Sequence, residues 1–302
     1  MKISLGPIYF YWSKQQVFDF YQQIAQSSVD VVYLGEVVCS KRHELRLDDW
    51  LKIAQQLSAA GKEVVLSTLT LIEADSELKR LKKICDNQNY GVEANDFAAI
   101  SLLTKSRTPF VVGPSVNVYN TASLNYLAKQ GLKRWCYPVE LSKDTLLDIV
   151  NNKHKALEVE VFAYGQLPLA FSARCFTARS YNLPKDDCQY KCIDHQQGML
   201  LSTKEDQNFL IMNGIQTLSS DVQNLVCELD EMKEIGVDVI RLSPQVESTN
   251  QIIEVFRDRI DEKNTSHEAL KMLAQLNDNK QCDGYWFGQE GMKNTAFAVQ
   301  QI

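Results

Sequence analysis

Four of the eight cysteines in this 302-residue sequence are spaced as metal-binding thiols would be. Cys175, Cys188 and Cys192 lie close together in one segment, and Cys188 and Cys192 are four residues apart, which places both on one side of a helical turn. Cys39 directly follows an apolar run that begins at Val31. Four thiols with little accompanying histidine suit an iron-sulfur cluster, although zinc sites made of four cysteines have overlapping spacings. The pattern therefore predicts a metal centre and leaves both types open.

The remaining candidate ligands are weaker. His195 lies three residues after Cys192 and is an alternative to Cys39 as the fourth ligand, but we interpret it as a loop histidine near the site. Free cysteine is commonly buried as a small apolar residue, so the other four thiols are expected to be structural. These four are Cys85, Cys136, Cys227 and Cys282.

Basic residues flank the four candidate ligands. They form either an ordinary solvated loop surface or a set of charges that balances the thiolates or receives an anion. They are Lys41, Arg42, His43 and Arg46 near Cys39, and Arg174, Arg179, Lys185 and Lys191 near the other three. The sequence contains no glycine-rich phosphate loop, no Gly-x-Ser-x-Gly and no His-Glu-x-x-His, so these nucleotide-binding, hydrolase and zinc-protease classes lose their main support.

Short β-branched runs alternate with amphipathic helical stretches as far as about residue 260, which predicts a TIM-type (β/α)8 barrel. The helices have recognisable ends, with Ser13 and Ser220 as predicted starts and glycines after several amphipathic runs. The predicted strands are Lys2–Leu5, Val31–Gly35, Glu63–Ser67, Tyr90–Glu93, Phe110–Val112, Arg134–Val139, Leu157–Ala163 and Val237–Leu242.

One interval interrupts this alternation. More than fifty residues separate the seventh predicted strand from the helix expected near Ser220, whereas an ordinary loop of this kind has about 2 to 6 residues. We assign residues 1–302 to one barrel domain, residues 166–219 to a cluster-binding insertion after the seventh strand, and residues 262–302 to a C-terminal tail packed on the barrel. The insertion also contains a hairpin signal, Asn208 to Leu218 with an Asn-Gly turn.

Loops that follow the strands of such a barrel form the face that carries the active site. Cys39 and the insertion should therefore meet there, together with polar residues at other strand ends. These are Glu36, Glu93, Asn95, Asn117, Glu140 and Tyr164. No spacing among the carboxylates identifies an acid-base pair.

Composition limits the location and the partners. The net charge of -6 and the pI near 5.4 remove any global attraction for nucleic acid. No segment resembles a cleavable export signal or a membrane span, so a cytoplasmic location is expected. Because the cytosol is reducing, eight cysteines there indicate metal binding better than disulfides.

The segment from Val161 to Cys175 resembles the diagnostic region of the collagenase-like peptidase superfamily, in which a His-Gly pair precedes cysteines three and ten residues past the glycine. Gly165 and Cys175 match that pattern, as do Ser172 and Arg174, and similarity extends over nearly the whole chain. Two positions depart from it. Tyr164 replaces the histidine and Pro168 replaces the first cysteine, so one ligand is lost.

Cys39 compensates for that loss, and the set Cys39, Cys175, Cys188 and Cys192 is similar to that of the members serving oxygen-independent ubiquinone biosynthesis. The resemblance implies a 4Fe-4S cluster on these four residues, a heterodimer with the paralogue UbiU, the lipid-binding accessory protein UbiT, and hydroxylation of the ubiquinone ring without oxygen. Proteolysis is not expected, because no nucleophile-base pair is evident. An RNA base hydroxylase and a non-catalytic electron-transfer or scaffold subunit remain alternatives.

Overall fold

The computed structural model describes residues 1–277 and 279–295, and eight of its parallel strands close into a barrel. Each barrel strand pairs with its neighbour in sequence order, and the last, Val239–Leu242, pairs with both the first and the seventh. The strands of the described residues are β1 Lys2–Leu5, β2 Val31–Leu34, β3 Glu63–Ser67, β4 Gly91–Ala94, β5 Phe110–Val112, β6 Leu132–Cys136, β7 Glu158–Phe171, β8 Met199–Ser202, β9 Asn208–Asn213, β10 Gln216–Asn224, β11 Val239–Leu242 and β12 Gln281–Cys282.

Most of the helices connect successive barrel strands and cover the outside of the barrel, one lies in the insertion, and two follow the last barrel strand. They are α1 Lys14–Ile24, α2 Leu47–Ala59, α3 Asp75–Cys85, α4 Phe97–Ser106, α5 Thr121–Lys129, α6 Lys143–Asn152, α7 Phe176–Ser180, α8 Leu229–Ile235, α9 Thr249–Ile260 and α10 Ser266–Leu276. Ser13 caps α1 as predicted, in a reciprocal capping box with Gln16. The predicted TIM-type barrel is thus confirmed, with strand bounds that differ by a few residues at most, apart from the much longer β7. None of the described helices is both long and apolar enough to cross a membrane.

The seventh barrel strand is much longer than predicted. β7 continues beyond the barrel and pairs antiparallel with β10, which in turn pairs with β9, and β9 pairs with β8. This antiparallel extension stands above the carboxyl ends of the barrel strands. The predicted hairpin is present as β9 and β10, and Gly214 occupies its turn with a positive φ of 65°.

One predicted helix start is wrong. Ser220 lies within β10 rather than at the start of a helix, because this segment pairs with β7 and inserts Val222 into the core. The tertiary pairing overrides a local helix-start signal. The next helix is α8, which ends at Gly236.

The described part of the C-terminal segment contacts both the extension and the barrel helices. β12 pairs with β10, the Trp286 side chain is buried, and its carbonyl accepts a hydrogen bond from the Lys143 N–H at 2.9 Å. Residues 278 and 296–302 of the predicted tail lie outside the described residues.

Candidate functional site

Cys39, Cys175, Cys188 and Cys192, here called the thiol patch, all lie above the carboxyl ends of the barrel strands. Each is a free, partly buried cysteine. Cys39 is positioned by a turn after β2, in which the Glu36 carboxylate accepts hydrogen bonds from the N–H groups of Val38 and Cys39 at 2.9 and 3.0 Å. Glu36, one of the predicted strand-end residues, therefore shapes the loop that carries the thiol.

Cys175 lies where the β7 extension ends and α7 begins. Its sulfur accepts a hydrogen bond from the Ala178 N–H at 3.4 Å, so it acts as the N-cap of that short helix. The helix is attached to the hairpin turn, because the Phe176 N–H donates to the Gly214 carbonyl at 2.8 Å. The positive φ at Gly214 thus places the segment that holds Cys175.

Cys188 and Cys192 do not share one continuous helix, contrary to the prediction from their spacing. Cys188 ends the 3-10 turn Lys185–Asp187, and Cys192 lies in a second 3-10 turn, Lys191–Asp194. Gln189 and Tyr190 between them have positive φ values of 48° and 53°. Two consecutive left-handed residues reverse the chain, so the backbone turn rather than helical periodicity sets where the two thiols lie.

The Cys175 thiol interacts electrostatically with two of the other thiols. Burial raises the pKa of Cys39 to about 11 and also raises the pKa of Cys192, and the nearby Cys175 thiol adds to both increases. Lys41, whose pKa is raised mainly by its hydrogen bond to Asp186 against the effect of burial, also interacts with Cys188 and Cys39. These interactions link Cys39 and Cys192 through Cys175, whereas Cys188 interacts with Lys41.

Arg42 is the cation most closely integrated with the thiol patch. It is 2% exposed and donates from Nη1 to the Tyr9 carbonyl and from Nη2 to the Asn213 side-chain oxygen, both at 2.6 Å. Its charge lowers the pKa of both Cys39 and Cys192, although burial outweighs this effect. Arg42 thus joins the Cys39 loop to the hairpin and favours thiolates on both sides.

The other predicted basic residues are more peripheral. Lys41 donates to the Lys185 carbonyl at 2.8 Å and to Asp186 at 2.6 Å, while Lys185 pairs with Glu73. Arg174 and Arg179 are exposed. The alternative ligand His195 has its Nε2 2.8 Å from the Tyr181 hydroxyl, and the Lys191 ammonium lies 5.6 Å from the centre of the Tyr181 ring. The two other predicted basic residues near Cys39 are His43, whose backbone N–H donates to the Tyr11 hydroxyl, and Arg46, the N-cap of α2.

The four remaining cysteines lie elsewhere. Cys136 is in β6, Cys85 ends α3, Cys282 is in β12, and Cys227 lies in the 3-10 turn Val226–Glu228. The first three are buried and Cys227 is partly buried. Burial raises the pKa of every one of these thiols, which suits structural residues.

All four donors of the thiol patch are cysteine thiols, the ligand type of iron-sulfur clusters and of four-cysteine zinc sites. Within the described ranges, no three His, Cys, Asp or Glu side chains are placed to hold one ion, as the ligands of a zinc site must be. In a four-iron cluster each of four thiolates binds a different iron, so the sulfur atoms surround a larger group. Because binding requires thiolates, and burial favours the protonated thiols at Cys39 and Cys192, cluster binding would release protons.

A second group of polar side chains crosses the inside of the barrel. We call Arg134, Tyr33, Glu160, Arg241 and Glu93 the barrel ion network. Arg134 donates to the Tyr33 hydroxyl at 3.2 Å, and Tyr33 donates to Glu160 at 2.6 Å. Arg241 then contacts Glu160 at 2.9 Å and Glu93 at 2.7 Å. All five side chains are at most 3% exposed. At the outer end of the network, Arg134 also pairs with Glu63 and Glu158, which are partly exposed.

The network ends at the mouth of the barrel, below the thiol patch. There Asn95 donates to Glu93 at 3.2 Å, and a small cavity of about 20 Å³ is lined by Glu93, Asn95 and Arg241. The Arg241 Nη2 has no hydrogen-bond partner among the described residues. Pro168, which occupies the position of the superfamily's first cysteine, lines the same cavity. This small space is sufficient for about one water molecule.

The sequence analysis named Glu93 and Asn95 but missed Arg241 and Glu160. The available signal was a charged residue in the middle of an otherwise apolar strand, as in Val-Ile-Arg-Leu of β11 and in Val-Glu-Val of β7. Of the other predicted strand-end residues, Asn117 and Glu140 are exposed, and Glu140 accepts a hydrogen bond from Tyr119. The structure does not bring this pair into the barrel mouth.

Comparison with known proteins supplies further findings. Residues 17–296 match the family described as Peptidase family U32. The tRNA hydroxylation protein P2 of Bacillus subtilis is 25% identical over 272 residues, which cover 82% of this chain and 85% of that protein. The structure of the U32 peptidase Mk0906 covers 81% of this chain and 93% of its own at 10% identity, with a TM-score of 0.46. A phospho-2-dehydro-3-deoxyheptonate aldolase from Thermotoga maritima covers 93% and 71%, at 13% identity and a TM-score of 0.45.

Proposed function

The chain belongs to peptidase family U32, and from that premise we propose that it is a UbiV-type iron-sulfur subunit of an oxygen-independent hydroxylation system in ubiquinone biosynthesis. The observation that carries the proposal is the thiol patch. Four free, partly buried cysteines from two distant segments lie at the face where barrel enzymes hold their active sites, and the other four lie elsewhere. The name of the Bacillus subtilis relative supports hydroxylation chemistry in the family.

In this proposal Cys39, Cys175, Cys188 and Cys192 hold a 4Fe-4S cluster, which supplies electron transfer when bound. Arg42 balances part of the negative charge of the four thiolates and fixes the Cys39 loop against the hairpin. Lys41 balances the charge of the thiolates more weakly, because its ammonium also pairs with Asp186. The proposed partners are UbiU, in a heterodimer, and the lipid-binding protein UbiT, and the proposed location is the cytoplasm.

RNA base hydroxylation is a second candidate, because the relative from Bacillus subtilis is named for tRNA hydroxylation. The net charge of -6 disfavours it, since binding to nucleic acid depends largely on positive charge that neutralises phosphates. The two candidates predict different products from the same gene. One requires the chain for ubiquinone, and the other requires it for a hydroxylated base in tRNA.

A deletion strain grown without oxygen decides between them. We expect deletion to abolish ubiquinone under these conditions, to leave aerobic ubiquinone unchanged, and to leave tRNA hydroxylation unchanged. The wild-type gene and the control variant Cys227→Ala should restore ubiquinone, whereas Cys39→Ala should not, although it remains soluble and bound to UbiU. Normal ubiquinone from a cluster-free Cys39→Ala complex would contradict the redox role, and loss of tRNA hydroxylation alone would favour the second candidate.

A further inference from the structure

A second cavity lies over the carboxyl ends of β1, β7 and β11, and the proposed cluster does not account for it. Its volume is about 230 Å³, far larger than the space beside Arg241. Phe10, after β1, and Gln166, in β7, line it together with Gln245, which follows β11. The insertion contributes Gln197. This is the face of the barrel at which ligands bind in this fold.

Side-chain amides dominate the lining of this cavity. Three are the glutamines at positions 166, 197 and 245, and two more are Asn277 and Asn279. An amide side chain offers both a hydrogen-bond donor and an acceptor without carrying charge. Five such groups around one cavity favour a neutral ligand whose edge also alternates donors and acceptors.

Gln166 is the amide most directly available to a ligand. It is 8% exposed, and its side chain has no hydrogen-bond partner among the described residues. Its amide atoms are accessible from the cavity, so a ligand there can bond to them directly. Gln245 is held in place, because its Nε2 donates to the Ser243 carbonyl at 3.1 Å, and its Oε1 remains as an acceptor.

The charge and size of the cavity narrow the class of ligand. None of its described lining residues is Lys or Arg, and Glu247 adds a carboxylate, so phosphates and carboxylates are disfavoured. A purely apolar ligand would leave the amides desolvated and unpaired. A cavity of about 150 Å³ can accept benzene, so this one has room for a single substituted ring, and Phe10 adds an apolar aromatic side chain to the lining.

We infer that this cavity is a binding site for a neutral single-ring molecule with hydrogen-bonding groups on its edge. The same chemistry occurs in a pyrimidine base and in a polyhydroxylated benzene ring. No cysteine lines the cavity, so ligand binding does not depend on the proposed cluster. Gln197 lies five residues after Cys192 on one loop, which connects this site to the thiol patch.

The test is saturable binding of four probes to the anaerobically purified chain, measured by ligand-observed nuclear magnetic resonance. The neutral probes are uracil and resorcinol, and the anionic probes are benzoate and inorganic phosphate. We expect at least one neutral probe to bind and neither anion to do so. Uracil alone would identify the nucleobase source, and resorcinol alone the benzene-ring source.

Variants locate the binding. Gln166→Met keeps the length of the side chain but removes its hydrogen bonds, and it should weaken binding of the neutral probe about fivefold. Gln245→Met should act in the same direction and serves if the first variant does not fold. The matched control is Gln251→Met, at an exposed glutamine of α9 outside the cavity, which should leave binding unchanged.

The inference is overturned if neither neutral probe binds, if an anion binds as tightly as the neutral probe, or if the folded Gln166 and Gln245 variants bind as well as the wild type. Iron and sulfide are determined on the same samples. A chain that binds the neutral probe but contains no iron would contradict the proposed cofactor and support this inference. An iron-loaded chain that binds no probe would support the proposed cofactor and contradict this inference.

Discussion

The thiol patch and the barrel ion network occupy the same end of the molecule but are built in different ways. The network lies on barrel strands, its groups are nearly fully buried, and each charge has an opposite charge within hydrogen-bonding distance. The thiol patch lies on loops and 3-10 turns, and its four sulfurs are partly exposed. Strands position the network without any cofactor, whereas the patch contains four donors that only a bound group would bring together.

The substitution of Arg241 has the largest expected effect on stability. If this effect is absent, the contrast between the barrel ion network and the thiol patch is wrong. Arg241→Met removes the positive charge that the buried carboxylates of Glu93 and Glu160 share, and should lower the free energy of unfolding by about 3–5 kcal/mol. Denaturant titration measures this change. The matched control is Arg257→Met, whose partner Asp30 is 39% exposed, with an expected loss of about 0–1 kcal/mol. Equal losses in the two variants would show that the network is no more important than a surface ion pair.

The fold could be predicted from the sequence more fully than the site. Alternation of β-branched runs with amphipathic stretches has a direct physical cause in the burial of both sheet faces, and it placed the barrel strands correctly. The helix predicted from Ser220 failed because β10 gains its conformation by pairing with β7, a contact between segments about fifty residues apart. Local signals contain no information about that pairing.

The candidate site shows the same division. The four cysteines could be selected because three share one segment and the fourth follows a barrel strand. Arg42 could be named as a neighbour of Cys39, but its bond to Asn213 depends on the position of the hairpin and could not be predicted. The cavity lined by Gln166 and Gln245 was missed entirely, because isolated glutamines have no characteristic spacing and meet only in the folded barrel.

The substitution of Arg42 has an intermediate expected effect and tests the same contrast at the thiol patch. Arg42→Met removes the bonds to the Tyr9 carbonyl and Asn213, the ion pair with Glu36 and a cation beside two thiols. The variant that circular dichroism shows to be folded should lose most of its iron during anaerobic purification. Lys41→Met is the matched control, because that cation is half-buried and already paired with the exposed Asp186. We expect it to keep most of its iron. Iron content per chain is the measurement, and full iron in the Arg42 variant would remove that residue from the site.

The substitution of Glu228 has the smallest expected effect. It tests whether a partly buried carboxylate lowers the stability of the folded state when it is charged. Burial raises its pKa to about 7, against the nearby Lys143 and with help from Glu231 and Asp283. Because this is above the ordinary value of about 4.3, the folded state binds more protons, and stability falls as the pH rises between these values. Glu228→Gln should therefore melt at a higher temperature than the wild type at pH 8 and at nearly the same temperature at pH 4. A variant that is less stable at pH 8 would contradict this reasoning.

The central claim is that the thiol patch holds a 4Fe-4S cluster, and iron and sulfide analysis of the anaerobically purified chain tests it most directly. We predict about four iron and four sulfide per wild-type chain, near-complete loss of both in Cys39→Ala, and wild-type content in Cys227→Ala, a partly buried cysteine outside the patch. Circular dichroism establishes that both variants fold. A folded Cys39→Ala chain with full iron and sulfide, or a folded Cys227→Ala chain without them, would contradict the account.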